Sequence, residues 1–262
     1  GEALNYVETT RGCKFNCEFC AIPGIFHNRI RHLPPEEAIE LFKHVRGSGR
    51  HFSFIDNNIY TDPAYSKDLF RRMESMGMTW AAGCSIDMAL DEEMLDLAYR
   101  SGARDLLIGY EIVQNTPERD IAGKFAYVRR YAELTAKIKR KGIMLKAAFM
   151  YGFDTDTLRY VLEVLKFIVI IRPAAAAVSL LTPLPGTALY RRYLEAGRLR
   201  VLNWKKYDLR HLVFTPVYRS PAVVRAVFEV LRLSAFFLLS TWGILLSGIV
   251  VAAVLAGSLF FR

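Results

Sequence analysis

The chain has 262 residues, which is long enough to bury one sizeable α/β core. Three of its four cysteines lie within eight residues, which argues against the disulfide framework of a small secreted domain and favours a reducing, cytoplasmic environment. Residue 1 is Gly rather than Met, and nothing near it resembles a signal peptide. We therefore expect a fragment or a processed chain.

The net charge of +9 is concentrated late in the sequence. Residues 190–232 contain ten Lys or Arg against three Asp or Glu, a surplus of seven. A segment of this charge suits either nucleic acid or anionic lipid. Because it stands directly before a long apolar run, we expect lipid and no nucleic acid.

Six short apolar strands are predicted to alternate with helices. The predicted strands are Leu4–Glu8, His51–Ile55, Thr79–Cys84, Asp105–Glu111, Met144–Tyr151 and Ala176–Leu181. The predicted helices are Pro34–Phe42, Pro63–Met76, Asp91–Tyr99, a long basic helix Ile121–Lys141, and Thr157–Ile171. Such alternation predicts right-handed crossovers and a parallel sheet. By itself it allows either a partial barrel of six units or an open doubly wound sheet.

Cys13, Cys17 and Cys20 follow the first predicted strand with the spacing CxxxCxxC. Three thiolates can bind three irons of one [4Fe-4S] cluster, because thiolates are the usual protein ligands of such clusters. The fourth iron then stays open, which in metal sites generally marks catalysis. The alternatives are a zinc site, which usually needs a second cysteine pair, or three unrelated thiols. Cys84 stands alone and is predicted to be a buried structural thiol.

The segment 8–20, with CxxxCxxC after a short strand, resembles the signature of the radical S-adenosylmethionine (radical SAM) enzymes. The resemblance covers residues 4–215 and implies a partial (β/α)6 TIM-like barrel. It also implies that the open iron binds the amino and carboxylate groups of S-adenosylmethionine. An electron from the cluster then splits the sulfonium to give a 5′-deoxyadenosyl radical. A low-potential electron donor such as flavodoxin or ferredoxin is the expected partner.

Polar side chains follow several predicted strands, at the edge where parallel α/β folds present residues to ligands. Asp56, Asn57 and Asn58 resemble the family's second-strand motif, which holds the amino group of S-adenosylmethionine. Their alternative role is a helix cap or a turn. Glu111 resembles the family's Gly-x-Glu at the fourth strand, which faces the ribose or the amino acid portion. Its alternative role is an ordinary ion pair.

Aromatic and glycine residues complete the resemblance. Phe19 matches the signature's aromatic, which is expected beside the adenine; its alternative is plain core packing. Tyr151 and Gly152 resemble the fifth-strand motif, whose backbone lies against the adenine, and glycine allows such close approach. The segments 181–187 and 204–211 resemble the branch whose members often carry a cobalamin-binding domain. Cobalamin is therefore a further candidate cofactor.

A run of 29 residues without charge extends from Leu233 to Phe261. A bilayer span needs about 20 apolar residues, so the run predicts a transmembrane or membrane-associated segment. Arginines before the run place the rest of the chain on the cytoplasmic face of the membrane. The alternative is a buried helical hairpin broken near Ser247 and Gly248.

Three regions are thus expected: a barrel over residues 1–187, a basic extension packing on it over 188–232, and the membrane segment over 233–262. The predicted function is that of a radical SAM enzyme. Cobalamin-assisted methyl transfer or a related alkylation, on a small-molecule or lipid-like substrate, is the favoured chemistry. The alternative is a membrane-bound iron–sulfur protein that transfers electrons or acts as a sensor without catalysis. An electron carrier suits a fully ligated cluster better, so the open iron favours an enzyme.

Overall fold

The computed structural model describes residues 5–47, 49–114, 123–201 and 203–239. The strands are β1 (Asn5–Val7), β2 (Thr10–Arg11), β3 (Arg31–His32), β4 (His51–Phe54), β5 (Thr79–Cys84), β6 (Ala103–Glu111), β7 (Met144–Tyr151) and β8 (Ala175–Leu180). The helices are α1 (Ile22–Phe26), α2 (Pro35–Arg46), α3 (Pro63–Met73), α4 (Glu92–Ser101), α5 (Tyr131–Arg140), α6 (Leu158–Ile171), α7 (Ala188–Glu195) and α8 (Pro221–Leu239). All six predicted strands are present, and their ends agree within two residues.

Six strands form one parallel sheet in the order β1-β4-β5-β6-β7-β8. Among these six strands, each lies beside the one that follows it along the chain, and the order never reverses; β2 and β3 pair separately with each other. A doubly wound sheet reverses its strand order at a switch point, whereas a barrel adds its strands in succession. The predicted partial barrel is therefore confirmed. Within the described residues, β1 and β8 are its two edges and are not paired with each other.

Alternate strand residues point toward the helices and form the core. Trp80 of β5 is fully buried between Phe54 of β4 and Phe70 of α3, with ring centroids 5.2 and 4.9 Å away. Its indole N–H donates to Ser101 Oγ at 3.2 Å, so the ring's polar atom is satisfied. Aromatic burial of this kind is a large contribution to the stability of the barrel.

The predicted helix Ile121–Lys141 is wrong in its first half. The segment 123–127 is a turn, Val128–Arg130 is one turn of 3₁₀ helix, and α5 begins at Tyr131. Gly123 has φ +71°, a left-handed conformation that breaks a right-handed helix. The turn places Lys124 at the carboxyl end of β6, where it pairs with Glu111. Residues 121 and 122 lie outside the described residues.

The C-terminal part of the described chain packs on the barrel. Helix α8 buries Val224, Phe228 and Leu231 in the same core as the sheet, against β8 and α6. It runs without a break across the expected boundary at residue 232. Of the predicted membrane segment, positions 240–262 lie outside the described residues. Among the helices that are described, none combines the length and apolarity needed to cross a bilayer.

Candidate functional site

The three clustered cysteines lie on one loop at the carboxyl end of the sheet. The loop begins after β2 and leads into α1. The chain then returns through β3, which pairs antiparallel with β2. Within it the N–H of Cys20 donates to the carbonyl of Cys17 at 3.0 Å. All three thiols are free of disulfide bonds, and Cys17 is buried. The loop therefore turns its cysteines toward one space.

That space is a cavity of about 240 Å³. The lining residues come from the cysteine loop and the start of α1, from the segment after β4, from β5, β6 and β7, and from the turn that contains Lys124. They are Cys13, Phe15, Cys17, Phe19, Cys20, Ile22, Asn57, Asn58, Gly83, Cys84, Ser85, Leu107, Gly109, Glu111, Lys124 and Ala148. Of the predicted site residues, the structure thus brings together the three cysteines, Phe19, Asn57, Asn58 and Glu111.

The thiols of the loop are suited to metal binding only after losing their protons. Burial raises the pKa of the Cys17 thiol to about 12, with the ammonium of Lys124 acting in the opposite direction. Burial also raises the pKa of Cys20. Cluster binding at these thiols would therefore release protons, as metal binding to thiols does generally.

Among the described residues, no group of three or more Cys, His, Asp or Glu side chains is close enough to hold a single metal ion. A cubane cluster makes a different demand, because each thiolate binds a different iron and the thiolates stand farther apart. Three cysteines of one loop around the cavity fit a [4Fe-4S] cluster with one open iron. The fourth cysteine in the wall, Cys84, lies on β5 rather than on the loop, and its Sγ contacts the carbonyl of Ser85 and Met88 Sδ.

Asn58 connects the cavity wall to the cysteine loop. Its side-chain N–H donates to Ser85 Oγ at 3.0 Å and approaches Cys13 Sγ at 3.9 Å. Its Oδ1 accepts the backbone N–H of Tyr60 at 3.1 Å and that of Ser85 at 3.2 Å. Asn58 is 3% exposed, so it is a satisfied buried amide beside a predicted cluster ligand.

Asp56 lies behind the cavity rather than in its wall. Its Oδ1 accepts the N–H of Thr9 and its Oδ2 accepts the hydroxyl of Thr9, both at 2.8 Å. The carboxylate is 5% exposed, and burial raises its pKa while the hydrogen bonds from Thr9 lower it. The structure thus places Asp56 between the end of β4 and the residues that precede the cysteines.

Glu111 enters the cavity from an irregular strand end. The register between β6 and β7 shifts between Gly109 and Glu111, and Glu111 has φ +59°. A positive φ is unusual for a residue with a side chain, and strain of this kind is often found at functional sites. The shift turns the carboxylate back over Gly109, where a Cβ would lie 2.7 Å from Glu111 Oε1. Only glycine leaves this space open.

Lys124 is the site residue that the sequence did not reveal. Its ammonium lies 3.2 Å from Glu111 Oε1, and the two side chains are 15% and 18% exposed. Burial lowers the pKa of Lys124, but the charge of Glu111, the hydrogen bond to it and the nearby thiols of Cys17 and Cys13 together outweigh burial, so the pKa is raised above its ordinary value. The cavity wall therefore contains a largely buried cation as well as the cysteines. The helical pattern of 121–141 concealed it, and Gly123 was the one signal of a break.

Tyr151 and Gly152 do not line this cavity. Tyr151 is 1% exposed and belongs to the core. Gly152 has φ +116°, and its N–H donates to Asp156 Oδ2 at 2.7 Å. A Cβ there would lie 3.2 Å from Leu180 and 3.3 Å from Leu181, so the glycine allows close packing of β7 on the end of β8. Phe153, the next residue, contacts Phe19 edge to face at 6.1 Å.

Cys84 is 6% exposed, as expected of a buried thiol. Its Sγ contacts the carbonyl of Ser85 at 3.1 Å and Met88 Sδ at 3.2 Å. It lies in the cavity wall across from the cysteine loop and belongs to the core behind β5.

Residues 7–168 match the family model described as the Radical SAM superfamily. The chain belongs to this superfamily. Radical SAM enzymes use a [4Fe-4S] cluster and S-adenosylmethionine, so the sequence resemblance and the cofactors it implied are confirmed at the level of the family. The match includes the cysteine loop, the segment after β4 and the Glu111 bulge.

Several methyltransferases are similar in sequence to this radical SAM chain. It is 29% identical over 211 residues to a bacteriochlorophyllide d C-12(1)-methyltransferase of Chlorobaculum tepidum, an alignment covering 79% of this chain and 46% of the relative. It is 24% identical to a hopanoid C-2 methylase of Rhodopseudomonas palustris, covering 75% and 39%. The chain thus spans about half the length or less of the curated relatives it matches.

Solved structures share the fold. The radical S-adenosylmethionine methyltransferase TsrM of Kitasatospora setae, with cobalamin and a [4Fe-4S] cluster bound, superposes with a TM-score of 0.65 at 17% identity. The alignment covers 87% of this chain and 44% of TsrM. The cobalamin-dependent radical enzyme OxsB gives a TM-score of 0.66 at 14% identity, covering 90% and 41%.

Proposed function

We propose that this chain is the catalytic barrel of a radical SAM methyltransferase that works with cobalamin on a small, apolar or lipid-like substrate. One observation supports the proposal of an enzyme: the cavity is lined both by three cysteines and by the largely buried ion pair of Glu111 and Lys124. A mere electron carrier has no need of a cavity beside its cluster. The methyltransferase reading is supported by relatives that are named as methyltransferases of a bacteriochlorophyllide and a hopanoid.

The residues around the cavity suit a bound S-adenosylmethionine. Cys13, Cys17 and Cys20 would hold the cluster, which when reduced would supply the one electron needed for reductive cleavage of the cofactor's sulfonium. Lys124 offers a positive charge to the cofactor's carboxylate, and Glu111 offers a negative charge to its ammonium group or hydrogen-bond acceptors to its ribose. The two side chains already neutralise each other, so a zwitterionic amino acid group can replace that pairing without leaving a buried charge unpaired.

Phe19 provides an aromatic face in the wall for the adenine. The small residues Gly83, Gly109 and Ala148 leave room above the sheet. For Asn57 and Asn58, we retain the prediction that they contact the cofactor's amino group, since both line the cavity. Tyr151 and Gly152 remain predicted adenine contacts through the backbone next to Phe153, which touches Phe19.

The test is anaerobic reconstitution followed by electron paramagnetic resonance of the reduced protein. We expect one four-iron cluster per chain, a spectrum that changes when S-adenosylmethionine is added, and slow release of 5′-deoxyadenosine with dithionite. With methylcobalamin and the relatives' class of substrate, methylated product should follow. A spectrum unchanged at saturating cofactor would favour an electron-transfer protein and overturn the enzyme proposal.

We also propose that the chain associates with a membrane through its C-terminal helix and the run beyond it. The outward face of α8 exposes Val230, Leu233, Phe236 and Phe237, of which Phe236 is 68% exposed. The sequence then continues for 22 uncharged residues before Arg262. An apolar surface helix and a run of this length are typical of lipid contact, and the arginines before the run favour the cytoplasmic face.

A carbonate wash of membranes from expressing cells tests the membrane proposal. The full chain should stay in the pellet, whereas a chain ended after Arg232 should be released. Recovery of the full chain in the supernatant without detergent would contradict membrane association and leave the buried hairpin as the explanation of the run.

A further inference from the structure

Polar side chains of the segment after β4 form hydrogen bonds with the cysteine loop and the residues before it. Both carboxylate oxygens of Asp56 accept hydrogen bonds from Thr9, one from its N–H and one from its hydroxyl. Asn57 Oδ1 accepts the N–H of Gly12 at 2.9 Å. These contacts connect chain positions 45 to 47 residues apart, so they are tertiary contacts and not part of a local turn.

The same pattern continues past Cys13. Thr61 Oγ1 accepts the N–H of Lys14 at 2.7 Å. The Lys14 ammonium lies 2.6 Å from Asp87 Oδ2 and 4.1 Å from the centre of the Tyr60 ring. Backbone N–H groups on both sides of Cys13 are therefore held by side chains that follow β4.

The loop has little freedom to move away from these contacts. Gly12 has φ +98°, and a Cβ at this position would lie 2.2 Å from the carbonyl oxygen of Arg29. The segment that leads into β3 thus lies against the start of the loop from the other side, and β3 itself pairs with β2. The start of the cysteine loop therefore lies between this segment and the segment after β4.

We propose that Asp56, Asn57 and Thr61 are positioning residues that hold the cysteine loop in the shape that binds the cluster, before any S-adenosylmethionine arrives. The proposal rests on the cluster site of the proposed function, and it gives Asp56 a role other than binding the cofactor's ammonium group. A carboxylate that binds ammonium must present oxygen to the cavity, whereas Asp56 is 5% exposed, lies outside the cavity wall and uses both oxygens on Thr9.

Two substitutions at Asp56 separate the two roles. In Asp56→Asn the amide oxygen can still accept the N–H of Thr9, and the amide N–H₂ can donate to the Thr9 hydroxyl, so the loop stays in place. In Asp56→Ala both contacts are lost. We therefore expect Asp56→Asn to bind iron and sulfide as the wild type does, and Asp56→Ala to retain cluster about tenfold more weakly or worse, as with other residues that orient metal ligands.

The measurements are iron and sulfide per chain and the spectrum of the reduced cluster, all without S-adenosylmethionine. The affinity of the loaded protein for the cofactor is then measured separately. Positioning predicts that Asp56→Asn has wild-type loading, spectrum and cofactor affinity. If Asp56 instead binds the cofactor's ammonium group, both variants should load the cluster normally. Both should also lose cofactor affinity, because each removes the negative charge.

Asp91→Ala is the matched control for a lost carboxylate. Asp91 accepts the N–H of Met94 at 3.0 Å at the start of α4 and pairs with the ammonium of Lys67 at 2.8 Å, and both contacts lie outside the cysteine loop. Its loss should lower the free energy of unfolding by about 1 kcal/mol and leave cluster loading unchanged. Thermal unfolding of all variants identifies any defect that comes from stability alone.

Asn57→Ala gives a second test if Asp56→Ala does not fold, because Asn57 is an exposed residue whose hydrogen bond to the cysteine loop is the one from Gly12. Cluster loading is measured without S-adenosylmethionine, so a contact of Asn57 with the cofactor does not affect this result. It should reduce cluster retention and alter the spectrum of what remains. Full loading with a wild-type spectrum in Asn57→Ala and in any folded Asp56→Ala would overturn the proposal. If the wild type itself binds no iron, the proposed function fails first and this proposal fails with it.

Discussion

The two faces of the six-stranded sheet differ in the size of their side chains. Toward the helices, the strands carry large buried residues such as Phe54, Trp80 and Tyr110. Toward the cavity, neighbouring positions on the same strands carry Gly83 and Gly109. Because successive residues of a strand point to opposite faces, one strand supplies both. Stability is concentrated on one face, and the other is left open for cofactors.

The comparison also explains why the two kinds of cysteine differ. The clustered cysteines are on a loop above the open face, whereas Cys84 is part of the packed core as well as the cavity wall. A loop can place three thiols around a space that a regular strand cannot surround. The first prediction tests this difference.

Cys17→Ala should abolish cluster binding, because a cluster held by two thiolates lacks one of its three protein ligands. Cys13→Ala and Cys20→Ala should do the same, measured as iron per chain after anaerobic reconstitution. Cys84→Ala is the control and should load fully. Full cluster loading in Cys17→Ala would show that Cys17 is not a cluster ligand and contradict the proposed cluster site.

On the packed face, Trp80→Ala should lower the free energy of unfolding by about 3–5 kcal/mol. The residue is fully buried and fills the space between Phe54 and Phe70. On the open face, Leu107→Ala should lower it by less than about 1 kcal/mol, since Leu107 is 44% exposed. Denaturant titration measures both. Equal losses would show that the two faces do not divide stability as the comparison states.

Lys124→Met should weaken binding of S-adenosylmethionine about 10- to 100-fold, because a hydrogen bond to a charged group contributes about 1.5–3 kcal/mol. Cluster loading should hardly change, since Lys124 is not a cluster ligand. Lys124→Arg keeps the charge and should recover part of the affinity. Titration of the cofactor into reconstituted protein measures both variants, and wild-type affinity in Lys124→Met would exclude this residue from the cofactor site.

Gly109→Ala should have the smallest effect. The added methyl would lie 2.7 Å from Glu111 Oε1 and 3.2 Å from Lys124 Nζ, so it displaces the ion pair. Both atoms are at the ends of flexible side chains, and we expect only about a threefold to tenfold loss of cofactor affinity, or roughly 1 kcal/mol. Gly83→Ala is the matched control, because no atom lies within 4 Å of its added Cβ. Equal effects in the two variants would contradict a role for the ion pair.

The sequence was a good guide to the strands and to the cysteines. Periodicity identifies apolar strands well when each is followed by a helix, and the CxxxCxxC spacing is a local signal that needs no tertiary information. The choice between barrel and open sheet needed the strand order, which depends on pairing between distant segments.

The site was harder to predict wherever it depended on irregular backbone. Lys124 enters the cavity because the chain turns at Gly123, yet the residues around it read as one amphipathic helix. Glu111 was predicted, but not the bulge that aims it. Asp56 was predicted as a cofactor ligand because its segment after a strand resembles the family's second-strand motif, and this role stays a prediction. Such a position shows that a side chain is near the site but does not specify its hydrogen-bond partners.

The contacts around the cysteine loop bear on the order in which the protein is assembled. One set of hydrogen bonds to the loop and the residues before it comes from side chains 45 to 47 positions later in the sequence. A second contact comes from much later in the sequence: Arg192 pairs with Glu18, 174 residues away, at 2.7 Å. Leu189 adds a hydrogen bond from its N–H to the carbonyl of Glu18. During synthesis, chains emerge from the N-terminus and contacts between distant residues form late. We therefore expect the cysteines to be made early but to become a finished cluster site only after α7 has left the ribosome, so that iron and sulfide delivery is a post-translational step.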